Sequence, residues 1–307
     1  MLTDGLTDGL VIRLQSGFFT VQTAEQVVTC RLRGRLKKGR QPGDILSIGD
    51  RVKISMLPDG SGMIEQIEPR QRALVRLAPT PRGEYQQILI ANPDQVLIVF
   101  SCAQPDPHLR MLDRFLVIAE KENIPAVIVA NKVDLVGGDS ARQLFAAYAT
   151  LPYRLIFTSV KTQMGLEELR ACLAGKISGL AGPSGVGKSS LLNAIQKDLG
   201  LAVREVSQMT EKGRHTTVVR QLFPLTEGGY VADLPGLKSL ALWDTDPEEL
   251  DGYFVELAEL VMHCQFNDCT HRNEPGCAVR RAVAEGRVHL QRYESYLRLR
   301  YGGEENG

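Results

Sequence analysis

The sequence predicts a multidomain α/β protein with a small N-terminal β-barrel, a central parallel sheet covered by helices on both faces, and a C-terminal helical module. Three observations predict it. Five short β-like runs separated by turns fill roughly the first seventy residues. Residues 91–240 then alternate strand-like and helix-like stretches, the pattern of a parallel α/β sheet. The last sixty or so residues gather three cysteines and a histidine into one short span. The expected boundaries are 1–72, 73–246 and 247–307.

In the first domain, residues 9–14, 18–22, 27–32, 51–55 and 62–67 are the β-like runs. Five strands in that length suit an OB-type barrel, a common oligonucleotide-binding scaffold. Arg31, Arg33, Arg35, Lys37, Lys38 and Arg40 concentrate positive charge after the third run. They read either as an RNA-phosphate contact loop or as a solvated basic hairpin. No regular interleaving of aromatic residues accompanies them, so base stacking is not expected here.

In the central domain, residues 95–100 and 126–130 read as buried strands with a helix between them. A strand at 154–157 and a helix at 166–173 follow. Residues 177–180 then lead into Gly182-Pro183-Ser184-Gly185-Val186-Gly187-Lys188-Ser189, which matches G-x-x-x-x-G-K-[ST] at every fixed position. Glycines let backbone N–H groups turn onto phosphates at the N-terminus of the next helix. Lys188 is expected on the β- and γ-phosphates and the Ser189 hydroxyl on Mg²⁺, with Ser190 behind it. Asp233-Leu234-Pro235-Gly236 ends a further strand, where Asp233 suits a second Mg²⁺ contact and the Gly236 N–H the γ-phosphate.

Asn131-Lys132-Val133-Asp134 follows the strand at 126–130. A carboxylate at Asp134 accepts from N1–H and the exocyclic amine of guanine, a donor pair that adenine lacks. Lys132 would lie along the base and Asn131 would tie loops together. Alone, these four residues would sooner read as a polar strand-to-helix cap. Ser159, Val160 and Lys161, after Thr158, would turn backbone N–H groups to guanine O6. Between the phosphate loop and Asp233 lies Arg214-His215-Thr216-Thr217, where Thr216 or Thr217, with Thr217 preferred, completes the Mg²⁺ shell. The guanine motif thus precedes the phosphate loop by about fifty residues, the reverse of the usual GTPase order. The reading is a circularly permuted P-loop GTPase domain.

At the C-terminal end, Cys264-x₄-Cys269-x-His271-x₅-Cys277 offers four donors suited to a closed, structural, tetrahedral Zn²⁺ site. His263 only adjoins Cys264 and is not expected to ligate. Cys30, Cys102 and Cys172 are scattered and read as small apolar fillers, and no disulfide framework is implied. Residues 293–301 look amphipathic and are expected to pack on this module, with arginines available to RNA.

These motifs, in this order and together with both flanking regions, resemble the RsgA (YjeQ/YloQ) family of circularly permuted GTPases over essentially the whole length. The resemblance implies GTP hydrolysis to GDP, stimulated by the small ribosomal subunit during its maturation, and contact with its 16S rRNA. It implies one structural zinc with the Cys264, Cys269, His271 and Cys277 spacing. It also points to His215 as the residue that positions water, because Leu237 stands where many GTPases carry glutamine.

The 307 residues carry zero formal net charge, which argues against indiscriminate coating of nucleic acid. No eighteen-residue apolar run or signal-peptide pattern is seen, so a cytoplasmic monomer with no membrane partner is expected. Two other readings remain at this stage. A small-molecule kinase is disfavoured by Asp134, and an RNA-binding protein with nucleotide mainly structural is the alternative.

Overall fold

The computed structural model describes residues 5–37, 43–80, 83–200, 220–234 and 245–302. Alternating side chains build the barrel. In β3 (Val27–Leu32), Val28, Cys30 and Leu32 point inward while Val27, Thr29 and Arg31 point out. Together with β1 (Thr7–Gln15), β2 (Phe18–Gln22), β4 (Arg51–Met56) and β5 (Gly62–Ile67) it forms a sheet that the β1–β4 pairing closes. Within it β3 and β5 run parallel. Gly62 permits their approach, since a Cβ there would lie 2.5 Å from the Cys30 sulfur. The burial pushes the Cys30 thiol up to about 11, so it stays a neutral filler.

A two-stranded ribbon, β6 (Ala73–Thr80) and β7 (Gly83–Ala91), leads out of the barrel. At its base the fully buried Asp50 takes Arg70 Nε and Nη2, each at 2.7 Å. The second sheet has the order β10-β9-β8-β11-β14-β13 and is parallel except at β13 (Phe223–Pro224). Its strands are β8 (Gln95–Ser101), β9 (Ala126–Asn131), β10 (Arg154–Phe157), β11 (Ile177–Ala181) and β14 (Tyr230–Asp233). Every residue of β8 is buried, as a central parallel strand requires. Helices α1 (Leu109–Lys121), α2 (Gly138–Leu144) and α3 (Ala146–Ala149) cover one face around Phe100, Leu112, Phe115, Phe145 and Tyr148. Helices α4 (Leu166–Leu173) and α5 (Lys188–Ile195) cover the other around Leu97, Val129, Ile156, Leu169 and Leu191.

Chain order reverses direction between β8 and β11. The carboxyl ends of β9, β10, β11 and β14 therefore flank the switch point of the sheet, the expected ligand position in an open α/β sheet. The barrel joins this unit through a short strand, β12 (Arg220–Gln221), that extends its sheet beside β1. Leu222 donates its N–H to Ile12 O at 2.8 Å, and the chain then crosses into β13.

The C-terminal module comprises a 3-10 turn (Pro247–Tyr253), α6 (Val255–Val261), α7 (Ala278–Ala284) and α8 (Leu290–Tyr301). Its core of Phe254, Leu257, Val279, Ala282 and Tyr296 includes Val117 of α1, so the module packs on the central domain. Arg292 closes that junction. It is 1% exposed, donates to Asp113 of α1 at 2.7 Å and to Glu256 of α6 at 2.6 Å, and lies over the Phe254 ring. Its charge is matched by two carboxylates, and removing one member of such a buried group costs about 3–5 kcal/mol.

Candidate functional site

The phosphate-loop residues fold as a left-handed-rich turn, with Gly182, Gly185 and Gly187 at φ of 141°, 80° and 97°. Two close approaches explain the glycines. A Cβ on Gly182 would sit 2.2 Å from Val99 O, and one on Gly187 2.5 Å from Asn131 Nδ2. Helix α5 starts at Lys188 immediately behind this turn, with Ser189 and Ser190 in its first turn. Lys188 Nζ donates to Gly182 O at 2.8 Å and Pro183 O at 3.1 Å, so its ammonium lies across the loop mouth. Pro183 and Val186 are buried, and Ser184 is exposed.

Three separate segments meet at Asn131. Its Nδ2 donates to Val186 O at 2.9 Å and its Oδ1 accepts from Thr158 Oγ1 at 3.0 Å, with the side chain only 2% exposed. Lys132 Nζ donates to Gly185 O at 2.8 Å and also to Gln104 O. Asp134 Oδ1 accepts from Ser159 Oγ at 2.6 Å, which fixes the carboxylate. Val160 and the exposed Lys161 follow on the same loop. Asp233 pairs in register with Leu180 at the end of β14, two residues before Gly182. Among the described residues, Asn131, Lys132, Thr158, Gly185 and Val186 are thus bonded together at the carboxyl ends of β9, β10 and β11. Burial and the Asp134 charge push the neighbouring Cys102 thiol up to about 11, so it remains neutral beside that carboxylate.

Gln104 was not legible in the sequence, because it acts through its carbonyl and a carbonyl carries no residue-type signal. Arg214, His215, Thr216, Thr217, Gly236 and Leu237 lie outside the described residues, as do Lys38 and Arg40.

At the second site the ligand atoms of Cys264, Cys269, His271 and Cys277 all lie within 4.8 Å of one another. His271 Nδ1 is 3.6 Å from Cys264 Sγ and 3.4 Å from Cys277 Sγ, and those sulfurs are 4.0 Å apart. A tetrahedron with metal–sulfur and metal–nitrogen distances of about 2.3 and 2.05 Å requires roughly 3.8 Å between sulfurs and 3.5 Å from sulfur to nitrogen. The set therefore fits a tetrahedral metal ion. Burial acts to raise the Cys264 thiol, but N–H groups of Ala278 and Val279 bring it below its ordinary value. Burial pushes Cys269 up to about 12.

Asp251 is the residue the sequence reading missed. Its carboxylate lies 3.0 Å from His271 Nε2, which leaves Nδ1 to face the sulfurs. Burial tends to raise the Glu274 carboxyl, yet Thr270 Oγ1 and the N–H groups of Thr270 and Asn273 bring it down to about 2. That carboxylate pins the turn between the ligands. His263 stands apart from the cluster.

On the barrel, Arg31 lies in β3, and Arg35 and Lys37 lie in the 3-10 turn Gly34–Lys37 that follows. Arg33 and Arg35 share Glu65, at 3.1 and 3.2 Å. All four basic side chains remain exposed.

The RsgA GTPase family model matches residues 67–243, and the RsgA N-terminal domain model matches residues 8–64. The small ribosomal subunit biogenesis GTPase RsgA of Gemmatimonas aurantiaca is 45% identical over 298 residues, 96% of either chain. Its counterpart in Moorella thermoacetica is 44% identical over 294 residues, covering 94% of this chain and 95% of the relative. YjeQ from Thermotoga maritima superposes with a TM-score of 0.80 at 37% identity, covering 97% and 98% of the two chains. YloQ, described as a circularly permuted GTPase, gives a TM-score of 0.75 at 31% identity over 98% of this chain and 96% of YloQ. With the phosphate loop, the guanine-type motif and the Cys₃His cluster placed as described, these matches establish that the chain belongs to the RsgA family of circularly permuted GTPases.

Proposed function

We propose that this chain binds the small (30S) ribosomal subunit and hydrolyses GTP to GDP and phosphate during late maturation of that subunit. The observation that carries the reading is the junction at Asn131, which ties the guanine-type motif, the Thr158 loop and the phosphate loop around one crevice. In it, Asp134 reads guanine, Lys132 lies along the base, and Ser159, Val160 and Lys161 face guanine O6. Residues 182–190 cradle the phosphates through backbone N–H groups, and the Lys188 ammonium turns from its carbonyl partners to phosphate oxygens. Ser189, Asp233 and either Thr216 or Thr217, with Thr217 preferred, would hold Mg²⁺, which when bound takes up charge on the phosphate oxygens. Gly236 meets the γ-phosphate, and His215 orients the attacking water. Replacing His215 by Ala is expected to cut single-turnover hydrolysis about 10²-fold or more while GTP affinity changes little. Equal losses in both would leave His215 only an ordering role.

The three modules, 1–72, 73–246 and 247–307, divide the work. The barrel meets 16S rRNA through Arg31, Arg33, Arg35, Lys37, Lys38 and Arg40, and the C-terminal module, closed around one structural zinc, provides a second foothold. We infer a cytoplasmic monomer that docks in the GTP state and leaves as GDP forms. Co-sedimentation with purified small subunits tests this. The chain should pellet with subunits in a non-hydrolysable GTP analogue and stay in the supernatant with GDP. Indifference to the nucleotide would reject GTP-dependent docking.

A further inference from the structure

The barrel's outer face carries an apolar ring that the fold does not use. Ser16 and Gly17 form a two-residue hairpin turn, at φ of 51° and 80°, and Gln15 pairs with Phe18 across it. From there Phe19 and Val21 turn inward and Phe18 turns out, leaving its side chain in solvent with 44% of its surface exposed. The next residue beyond the Phe19–Cys30 pair on the neighbouring strand is Arg31, whose guanidinium carbon lies 5.1 Å from the Phe18 ring centre. Arg31 is in turn paired across the sheet with Met63. One outward-facing row thus runs from the exposed Phe18 and Arg31 to the half-buried Met63, beside the Thr20–Thr29 pair.

The charge around this row selects the partner. Arg31, Arg33, Arg35 and Lys37 face two carboxylates, with Glu65 shared by Arg33 and Arg35, and Asp59 close enough to Arg31 to feel its charge. The patch keeps a positive excess beside a flat π surface. An aromatic ring backed by a planar cation stacks any base without hydrogen-bond readout, and spare cations take the adjoining phosphates. An acidic peptide would use the cations and leave the ring idle. A duplex keeps its bases stacked on each other and cannot offer one to the ring.

Resting on the reading of the barrel as an rRNA contact, we propose that Phe18 and Arg31 form a stacking platform for one unpaired base of single-stranded RNA. Arg33, Arg35 and Lys37 take the flanking phosphates. This reverses the sequence-based expectation that stacking plays no part, because the ring and the guanidinium meet only across two strands.

The test is fluorescence anisotropy of the full-length chain with a labelled single-stranded uridine oligonucleotide, a duplex of equal length and polyglutamate, at several salt concentrations. Phe18→Ala should weaken single-strand binding about 5- to 100-fold with an unchanged salt slope, and Phe18→Trp should restore it. Arg33→Gln should instead lower the salt slope by about one. Phe18→Ala binding as tightly as the parent, or duplex or polyglutamate binding as tightly as the single strand, overturns the platform. Purified small subunits separate this from the functional reading. A parent chain that binds subunits equally well as Phe18→Ala loses the platform and keeps the assembly role. A chain that ignores subunits, yet loses single-stranded RNA on Phe18→Ala, keeps the platform and loses the assembly role.

Discussion

Asp134→Asn is expected to lower GTP affinity by about 10²- to 10⁴-fold. The parent carboxylate is held by Ser159 Oγ at 2.6 Å, and under the proposed function it accepts from both N1–H and the exocyclic amine of guanine. An amide at that position keeps one neutral acceptor for N1–H and turns its NH₂ group on the exocyclic amine, a donor against a donor. Two charge-assisted hydrogen bonds are lost, each contributing about 1.5–3 kcal/mol, and the base's polar edge is left unpaired. Xanthine replaces the exocyclic amine by a carbonyl, which accepts from the new amide, so the variant should prefer XTP over GTP. Displacement of a fluorescent GDP by GTP, XTP and ATP measures both effects. A variant that binds GTP within a few-fold of the parent would show that Asp134 does not read the base.

Stripping the metal is expected to unfold the C-terminal module while nucleotide affinity survives. Cys269 and Cys277 sit inside the module's apolar core, so the cluster joins the 3-10 turn, α6 and α7 at one point. Binding to a structural site of this kind contributes on the order of 10 kcal/mol, comparable to the whole stability of a typical domain. Chelation should therefore release one zinc per chain and remove the far-ultraviolet signal of α6, α7 and α8. Asp251→Ala should weaken metal retention about 10- to 100-fold, since the His271 ring loses the group that fixes its ligating nitrogen. A full helical signal after complete metal release would make the cluster an accessory rather than the core of the module.

Local chemistry was legible in the sequence wherever residue type alone carries it. Alternation at Val27 to Leu32 gave β3, and the apolar run ending at Ala130 gave a buried strand. The spacing of Gly182, Gly187 and Lys188 gave the phosphate loop, and the Cys₃His spacing gave the metal cluster. Long-range pairings were not legible. The bonds between Arg292, Asp113 and Glu256 connect residues up to 179 positions apart, and none belongs to a motif. Strand β12 is two residues long and exists only because β1 offers an edge to it. Phe18 and Arg31 meet through strand register, which the spacing of charges and aromatics along the chain conceals. Burial of Arg292 likewise depends on carboxylates contributed by α1 and α6, far away along the chain.

The most direct measurement of the central claim is steady-state GTP turnover by the purified chain with and without purified small ribosomal subunits, at fixed Mg²⁺. The account predicts slow hydrolysis alone, a marked rise with subunits, and no comparable turnover of ATP in either condition. Hydrolysis that ignored the subunits, or that consumed ATP as readily as GTP, would contradict it.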